Sequence, residues 1–279
     1  MTDQELEVLS WKLRQDTVDI IMAGGGGHIG GDMSVLNTLL VLYKNHLHIT
    51  PQTAADPDRD RFVLSKGHSM EAYYAVLAEC GFLPLADIKA RFSQFGSPYI
   101  GHPNNKLPGI EMNSGSLGHG LPVCVGMALA ARMDNRSYRV YTVMGDGELA
   151  EGSVWEGAMA GAHYALDNLC AVVDRNRLQI SGDTEQVMKQ DSQEARWAAF
   201  GWNVLSVDGN SIPALDRAFN EAAAHRGSPT VILANTTKGY GSPLMENRAA
   251  WHHHLPTAGE YARITADFTA RKEAAQNAQ

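Results

Sequence analysis

A carboxylate and a carboxamide follow two successive predicted strands, at a spacing that could support metal and diphosphate chemistry. Asp146 stands between two glycines after the apolar run 138–144, and Asn176 follows the apolar run 169–173. The small-residue segment 153–166 between them predicts a helix. The two strands should therefore be parallel, and both turns should emerge at one carboxyl edge of the sheet, where ligands bind. Hard oxygen donors suit Mg²⁺, and the glycines let the backbone approach a diphosphate closely.

Each half of this pair also has an ordinary interpretation. Gly-Asp-Gly is common in turns, and an asparagine after a strand is often a turn residue as well. The two residues together on one strand–helix–strand unit are much harder to obtain by accident. The pair therefore favours a ligand site at the edge of the sheet.

Histidines on predicted loops form a second candidate set. They lie beside glycines or predicted strand ends and are His28, His68, His102, His119 and His252. Imidazole can move protons near neutral pH and donate hydrogen bonds to a developing oxyanion. A single histidine is more often a surface or core residue, so it is their number on glycine-rich loops that favours a functional role.

A zinc site is a competing interpretation of the three consecutive histidines 252–254. They lack the i,i+4 helical spacing of a zinc protease, and no cysteine pair or carboxylate nearby completes a metal shell. The sequence therefore disfavours structural zinc. His46 and His48, which follow a predicted helix, are expected to be solvated.

The elements that must position these residues alternate between strands and helices. Short apolar strands are predicted at 61–65, 138–144, 169–173, 203–207 and 230–234. Helices are predicted from a capping box at Thr2 to the glycines 24–27, at 32–43, 70–80, 85–92, 117–133, 153–166 and 212–224, and from Thr257 onward. The glycine-, proline- and asparagine-rich stretch 93–116 is predicted to be a functional loop. This alternation predicts an α/β fold with a doubly wound, mostly parallel sheet flanked by helices.

The composition limits the class of protein. The chain has 279 residues, 44% of them hydrophobic, which suits one large domain or two small ones. Its net charge of −8 at pH 7, without a basic stripe, argues against a nucleic-acid partner. Three separated cysteines favour a reducing compartment, and the polar start is no signal peptide. No apolar run reaches the roughly 18 residues of a membrane span, so we expect a cytoplasmic protein without a membrane partner.

The ordered motifs resemble those of transketolase-like enzymes over about residues 10–256. Gly-Asp-Gly, an acidic residue shortly after it and an asparagine about thirty residues later resemble the thiamine-diphosphate motif of that family. The loop histidines lie in matching segments, which are Gly-His-Ile-Gly (27–30), Phe-Val-Leu-Ser-Lys-Gly-His (62–68), Gly-His-Pro (101–103), Gly-Ser-Leu-Gly-His-Gly (115–120), and Lys-Gly-Tyr-Gly (238–241) followed by Trp-His (251–252). Two positions differ, because Ile29 stands where the family has proline and His119 where many members have glutamine.

The resemblance implies a metal, a cofactor and roles for particular residues. It implies that Mg²⁺, or Ca²⁺ or Mn²⁺ in its place, is bound by Asp146, Asn176 and the backbone carbonyl of Leu178. Thiamine diphosphate is implied to be bound by His68, Gly115, Ser116, Leu117, Gly145, Gly147, Glu151, Asn176 and His252. Residues implied to be catalytic, by binding ketose hydroxyls and moving protons, are His28, His68, His102 and His252.

The same resemblance implies a division of labour between two chains. Residues 1–279 are expected to form a single diphosphate- and metal-binding domain, without the pyrimidine-binding and C-terminal domains of the family. The implied protein is the N-terminal subunit of a split transketolase, a transferase that moves a two-carbon ketol unit from a ketose (phosphate) to an aldose (phosphate). It would be active only with a C-terminal subunit that carries the pyrimidine-binding domain, in an α₂β₂ assembly.

Two other interpretations stay open on the sequence. One is the α-subunit of another thiamine-diphosphate enzyme, of the 2-oxoacid dehydrogenase type, which would share Gly-Asp-Gly and asparagine but lack the histidine series. The other is a non-catalytic cofactor-binding or regulatory subunit, against which the intact metal and histidine residues argue. The sequence indicates neither the sugar nor the roles of His119, His253 and His254.

Overall fold

The computed structural model describes residues 1–190 and 192–277. Its helices are α1 (Asp3–Gly24), α2 (Ile29–Val41), α3 (Met70–Glu79), α4 (Leu85–Arg91), α5 (Gly120–Met133), α6 (Gly152–His163), α7 (Thr184–Val187), α8 (Gln193–Ala199), α9 (Ile212–Ala224) and α10 (Ala258–Asn277). Its strands are β1 (Arg61–Leu64), β2 (Val140–Gly145), β3 (Leu169–Arg175), β4 (Leu178–Gln179), β5 (Gly182–Asp183), β6 (Asn203–Asp208) and β7 (Thr230–Asn235). Short π or 3₁₀ turns lie at Leu42–His46, Gly147–Ala150 and Ala249–Trp251. No helix within the described ranges is long and apolar enough to cross a membrane.

Five strands of the described chain form one parallel sheet in the order β1-β2-β3-β7-β6. The chain steps across the sheet in one direction from β1 to β3 and in the other direction from β6 to β7. Because parallel crossovers are right-handed, this reversal sends α5 and α6 to one face and α9 to the other. The predicted doubly wound α/β sheet is therefore confirmed. The two-residue strands β4 and β5 form a separate antiparallel hairpin.

The two faces of the sheet bury different sets of side chains. Along β3, Cys170 and Val172 pack on the face that α2, α3 and α9 cover, whereas Ala171 and Val173 pack on the face of α5 and α6. All four side chains are fully buried, as expected for an internal parallel strand. Because successive side chains of a strand point to opposite faces, the side chain of Asp174 points toward α2. A carboxylate therefore lies at the carboxyl end of β3.

Two helix starts differ from the prediction in ways that position the site. Helix α2 begins at Ile29 rather than at residue 32, so His28 directly precedes the helix. Helix α5 begins at Gly120 rather than at residue 117, because Gly118 has a φ of 86°, which an α-helix does not allow. The capping box at Thr2, by contrast, is confirmed. Histidines 28 and 119 thus lie on loops at helix starts.

The expectation that His46 is solvated is wrong. Its side chain is 8% exposed, and its Nε2 lies 2.9 Å from Asp216 Oδ1 on α9. Helix α9 covers the turn Leu42–His46, and the imidazole also packs on Phe219 of that helix, with ring centres 5.2 Å apart. His48 is 87% exposed, as expected. Which of the two histidines is covered depends on a helix about 170 residues later in the chain.

Candidate active site

The carboxyl edge of the sheet borders a cavity of about 490 Å³. Loops that follow β1, β2, β3 and β7, together with the loop before α2, supply its walls. Ten of the thirteen predicted site residues line it, which are His28, His68, Gly115, Leu117, Gly145, Asp146, Gly147, Asn176, Leu178 and His252. The structure therefore brings most of the predicted residues to one place.

The three residues predicted to bind a metal lie together at the ends of β2 and β3. Asp146 is 2% exposed, and its carboxylate accepts hydrogen bonds from the amides of Gly147, at 2.8 Å, and of Arg177. Arg177 adopts a left-handed φ of 64°, which folds the turn so that Asn176 Oδ1 accepts from the Leu178 amide at 3.1 Å. A carboxylate, a carboxamide and a backbone carbonyl thus share one wall of the cavity.

The electrostatic surroundings of Asp146 favour a cation. Burial, followed by the nearby carboxylate of Asp174, raises the pKa of Asp146 to about 7. The Lys238 Nζ lies 3.2 Å from the Leu178 carbonyl oxygen, so this carbonyl faces a position that already attracts positive charge. No group of three or more His, Cys, Asp or Glu side chains in the described ranges could hold a metal ion. A metal here would therefore depend on amide and carbonyl oxygens beside one carboxylate.

A buried ion pair, which the sequence analysis missed, lies beside these residues, and its Lys66 also lines the cavity. The side chains of Lys66 and Asp174 are each 1% exposed and are hydrogen bonded to one another. Lys66 Nζ also donates to the Gly31 carbonyl at 3.2 Å, and the hydroxyls of Ser34 and Thr236 donate to Asp174. Burial raises the pKa of Asp174, but the Lys66 charge and these donors outweigh burial and hold the pKa below its usual value. The pair joins the ends of β1, β3 and β7.

Glu148 is a second buried residue that the sequence analysis missed. Its carboxylate accepts hydrogen bonds from the amides of Gly118 (2.8 Å) and Gly145 (3.0 Å) and from the Ser65 hydroxyl. Glu148 therefore ties the turns after β1 and β2 to the segment before α5, and burial raises its pKa. Glu151, the acidic residue that the family motif indicated, is exposed, precedes α6 and lies outside the cavity lining. Its role in cofactor binding stays a prediction.

Four predicted catalytic histidines come together beside the cavity, and a fifth histidine joins them. The ring centre of His28 lies 5.4 Å from that of His68, 5.5 Å from His252 and 6.0 Å from His102. His253, whose role the sequence left open, lies closest to His28, at 4.7 Å. Loops separated by up to 225 positions in the chain thus form one imidazole cluster.

Burial and nearby positive charges lower the pKa of the four predicted catalytic rings, which keeps them mostly uncharged at neutral pH. Burial, followed by the charges of His253 and His102, lowers the pKa of His28 to about 4. Burial, followed by Lys238, lowers the pKa of His252 to about 3, and burial also lowers the pKa of His102. A neutral imidazole carries one hydrogen-bond donor and one acceptor, so each of these four rings can donate to a hydroxyl group or accept from it.

Lys238 fixes the orientation of one of these rings. Its Nζ lies 2.9 Å from Nδ1 of His252. Burial, followed by Lys66, lowers the pKa of Lys238 to about 8, so the amine is mostly an ammonium at pH 7 and can only donate. The Nδ1 of His252 therefore accepts, and the proton of the neutral ring is on Nε2.

Besides Glu151, two predicted residues lie outside the cavity lining, His102 and Ser116. His102 packs against Gly115, where a Cβ would lie 2.8 Å from the His102 ring, and this glycine has a φ of 142°. Ser116 is exposed, as is His119, which immediately precedes α5. The long loop predicted at 93–116 thus brings His102 to the edge of the cluster, whereas the contact predicted for Ser116 stays a prediction.

Comparisons with known proteins agree with this geometry. Residues 7–269 match the family described as transketolase, thiamine diphosphate binding domain. The chain is 46% identical over 273 residues to one of the subunits of the apulose-4-phosphate transketolase of Phocaeicola vulgatus, covering 98% of this chain and 97% of that protein. It is 38% identical to the 6-deoxy-6-sulfo-D-fructose transketolase subunit SqwG of a Clostridium species, with 91% of this chain and 93% of that protein covered.

Longer transketolases match the chain over part of their length. Human transketolase is 39% identical over 250 residues, which are 89% of this chain and 40% of the human protein. The solved transketolase of Leishmania mexicana superposes with a TM-score of 0.88 at 28% identity, covering 99% of this chain and 45% of that one. The matched region, the parallel sheet and the residues at its carboxyl edge lead to one conclusion. The chain belongs to the transketolase family and corresponds to its N-terminal, thiamine diphosphate binding part.

Proposed function

We propose that this chain is the diphosphate- and metal-binding subunit of a transketolase, which transfers a two-carbon ketol unit from a ketose (phosphate) to an aldose (phosphate). The observation that carries the proposal is the meeting of Asp146, Asn176 and Leu178 with the loop histidines around one cavity. Relatives that align along nearly their whole length are named for apulose 4-phosphate and 6-deoxy-6-sulfo-D-fructose, so sugars of this class are candidate substrates.

The donor set fits a hard divalent cation, with Mg²⁺ as the first choice and Ca²⁺ or Mn²⁺ in its place. Asp146, Asn176 and the Leu178 carbonyl offer only oxygen ligands, which these ions prefer. Asp146 is buried and its pKa is raised, so a cation beside it would stabilise the charged carboxylate. The ammonium of Lys238 beside the Leu178 carbonyl marks a second point at which positive charge is favoured.

The remaining cavity wall fits thiamine diphosphate. Gly145 and Gly147 leave the end of β2 open to a diphosphate, and Lys238 and the Nε2–H of His252 can donate to anionic oxygens. When bound, the cofactor supplies the electron sink for breaking and forming the carbon–carbon bond. The neutral rings of His28 and His68 would hold ketose hydroxyls, and His28 and His252 are the candidates for moving a proton to or from the sugar oxygens.

A partner subunit with the pyrimidine-binding domain would complete the site. The cavity rim exposes apolar side chains at the β4–β5 hairpin and just after α7, where Ile180 is 74% exposed and Met188 is 58% exposed. Exposed apolar rims of this kind favour coverage by another protein surface. We therefore place the partner over this rim, in an α₂β₂ assembly, and take residues 1–279 as one domain of it.

The test is reconstitution with the product of a neighbouring gene that encodes a pyrimidine-binding domain. The complex, supplied with thiamine diphosphate and Mg²⁺, should catalyse ketol transfer, whereas this chain alone should not. Full activity of the chain alone would contradict the need for a partner. Ile180→Asp should weaken assembly in sedimentation experiments without changing the thermal stability of this subunit.

The metal assignment has its own measurement. Asp146→Ala should abolish Mg²⁺-dependent binding of thiamine diphosphate by the complex, as measured by calorimetry, because it removes the carboxylate of the predicted ligand set. The exposed Asp134, which follows α5, provides a matched control as Asp134→Ala. Unchanged cofactor affinity in Asp146→Ala would refute the assignment.

The rival enzyme class is disfavoured by the same features. A 2-oxoacid dehydrogenase α-subunit would share the Asp146–Asn176 unit, but the imidazole cluster and the aligned relatives support ketol transfer. A regulatory subunit without activity would leave the reconstituted complex inactive with every sugar. The cytoplasmic location stays a prediction.

A further inference from the structure

The three consecutive histidines 252–254 point to different surroundings. His254 lies with its Nε2 3.1 Å from Glu260 Oε2, at the start of α10 and away from the cavity. His253 instead lies against His28, with ring centres 4.7 Å apart and ring planes at 77°. This edge-to-face contact is the shortest that His28 makes with another ring of the cluster. His253 therefore belongs to the site geometrically, although no motif indicates it.

The glycine-rich loop before α2 makes room for this contact. A Cβ at Gly26 would lie 3.8 Å from Cε1 of His253, so the two loops touch at this point. The Nδ1 of His28 has no hydrogen-bond partner among residues 1–190 and 192–277. His253 therefore supports the His28 ring by packing and makes no hydrogen bond to its buried Nδ1.

We propose that His253 is a specificity-determining residue, which binds a hydroxyl of the ketose beyond its fourth carbon. The inference rests on the proposed function, because it takes His28 and His252 to bind the sugar near the reacting carbons. The rings of His28, His68, His102 and His252 are partly buried, whereas His253 is exposed. His253 is thus the most exposed ring of the cluster and adjoins His28, so a sugar that extends outward from His28 would pass it.

The test compares donors of different length in the reconstituted complex. His253→Phe keeps an aromatic ring against His28 and removes only the hydrogen-bonding nitrogens. It should lower kcat/KM for fructose 6-phosphate about tenfold, through KM, and leave the four-carbon ketose erythrulose unchanged. His254→Phe is the matched control and should change neither donor. The affinity for thiamine diphosphate, measured by calorimetry, should stay the same in both variants.

Each alternative outcome has a distinct meaning. Equal losses with both donors would show that His253 acts on the reaction itself, and unchanged values with both would show that it does not touch the sugar; either result overturns the inference. Unphosphorylated fructose should show the same relative loss as its phosphate, and a loss confined to the phosphate would also overturn the assigned hydroxyl contact. If the unsubstituted complex uses neither donor, the proposed function itself fails, and the inference fails with it.

Discussion

Removal of the Lys66 charge should expose the cost of burying Asp174. Both side chains are 1% exposed, so Lys66→Met would leave a carboxylate in the interior with hydroxyl donors from Ser34 (2.6 Å) and Thr236 and an amide donor from Asn176 (3.3 Å). Breaking a buried pair by removing one partner costs about 3–5 kcal/mol. Because three donors remain, we expect a loss of about 3 kcal/mol in the free energy of unfolding.

Urea unfolding of the full chain measures this loss, and a double-mutant cycle isolates its cause. Asp174→Asn removes the charge but keeps the shape and the hydrogen-bonding oxygen. The variant with both Lys66→Met and Asp174→Asn should therefore lose at least about 2 kcal/mol less than the sum of the single losses. An additive double variant, or a loss below about 1 kcal/mol for Lys66→Met, would refute the reasoning.

The pH dependence of Lys66→Met provides a second check. In the unsubstituted chain the pKa of Asp174 is lowered, so its stabilising contribution persists above the pKa of an unfolded aspartate and is lost only in acid. Without Lys66, burial would raise the folded pKa above the unfolded value. The variant would then regain stability as the pH falls from its raised folded pKa toward the unfolded pKa of about 3.9. The deficit should therefore be smaller at pH 5 than at pH 8.

Two further predictions concern a close approach and a buried carboxyl pair. Gly67→Ala would place a Cβ 2.6 Å from Ser114 Oγ and should lower stability by about 1–3 kcal/mol, whereas Gly126→Ala in α5 meets no atom within 4 Å and should raise it by about 0.5–1 kcal/mol. Thermal unfolding compares the two, and shifts of the same sign would contradict the packing argument. Glu71 and Asp32 are buried, and burial raises both pKa values, that of Asp32 to about 7. The unfolded chain therefore loses these protons first, so stability falls as the pH rises from about 4 toward 7, and Glu71→Gln should gain more stability at pH 8 than at pH 5. A gain that is independent of pH in urea unfolding would rule this out.

The main sheet was predictable because its strands are apolar runs bounded by turn residues. The β4–β5 hairpin was not, because strands of two residues carry no alternation. It depends instead on local backbone conformations, with a φ of 64° at Arg177 and 141° at Gly182. Helix α8 was also missed, since its seven residues include only two buried ones, Gln193 and Trp197. Elements that lie outside the layered core leave little periodic signal in the sequence.

The site was predictable where function depends on residue type at a strand end, and less so where it depends on packing. Asp146 and Asn176 follow strands, so their convergence followed from topology alone. Topology did not indicate which of Glu148 and Glu151 is buried, because both lie in or beside the 3₁₀ turn that follows β2. Burial of Glu148 is decided by its contact with Ser65, which is 83 residues away in the chain. Local patterns carry no signal for such a contact.

The position of Asp174 depends both on a local sequence pattern and on contacts with distant residues. Its burial on the α2 side follows from alternation along β3, which is visible in the sequence, but its partners arrive from other strand ends: Lys66 after β1 and Thr236 after β7. Its carboxylate also accepts a hydrogen bond from Asn176. After burial, its negative charge is the largest cause of the raised pKa of Asp146. The orientation of the predicted metal ligands therefore depends on a buried charge outside the predicted ligand set. For this reason Lys66→Met should reduce Mg²⁺-dependent cofactor affinity as well as stability, and restored affinity in the double variant would separate the effect of charge from a loss of folding.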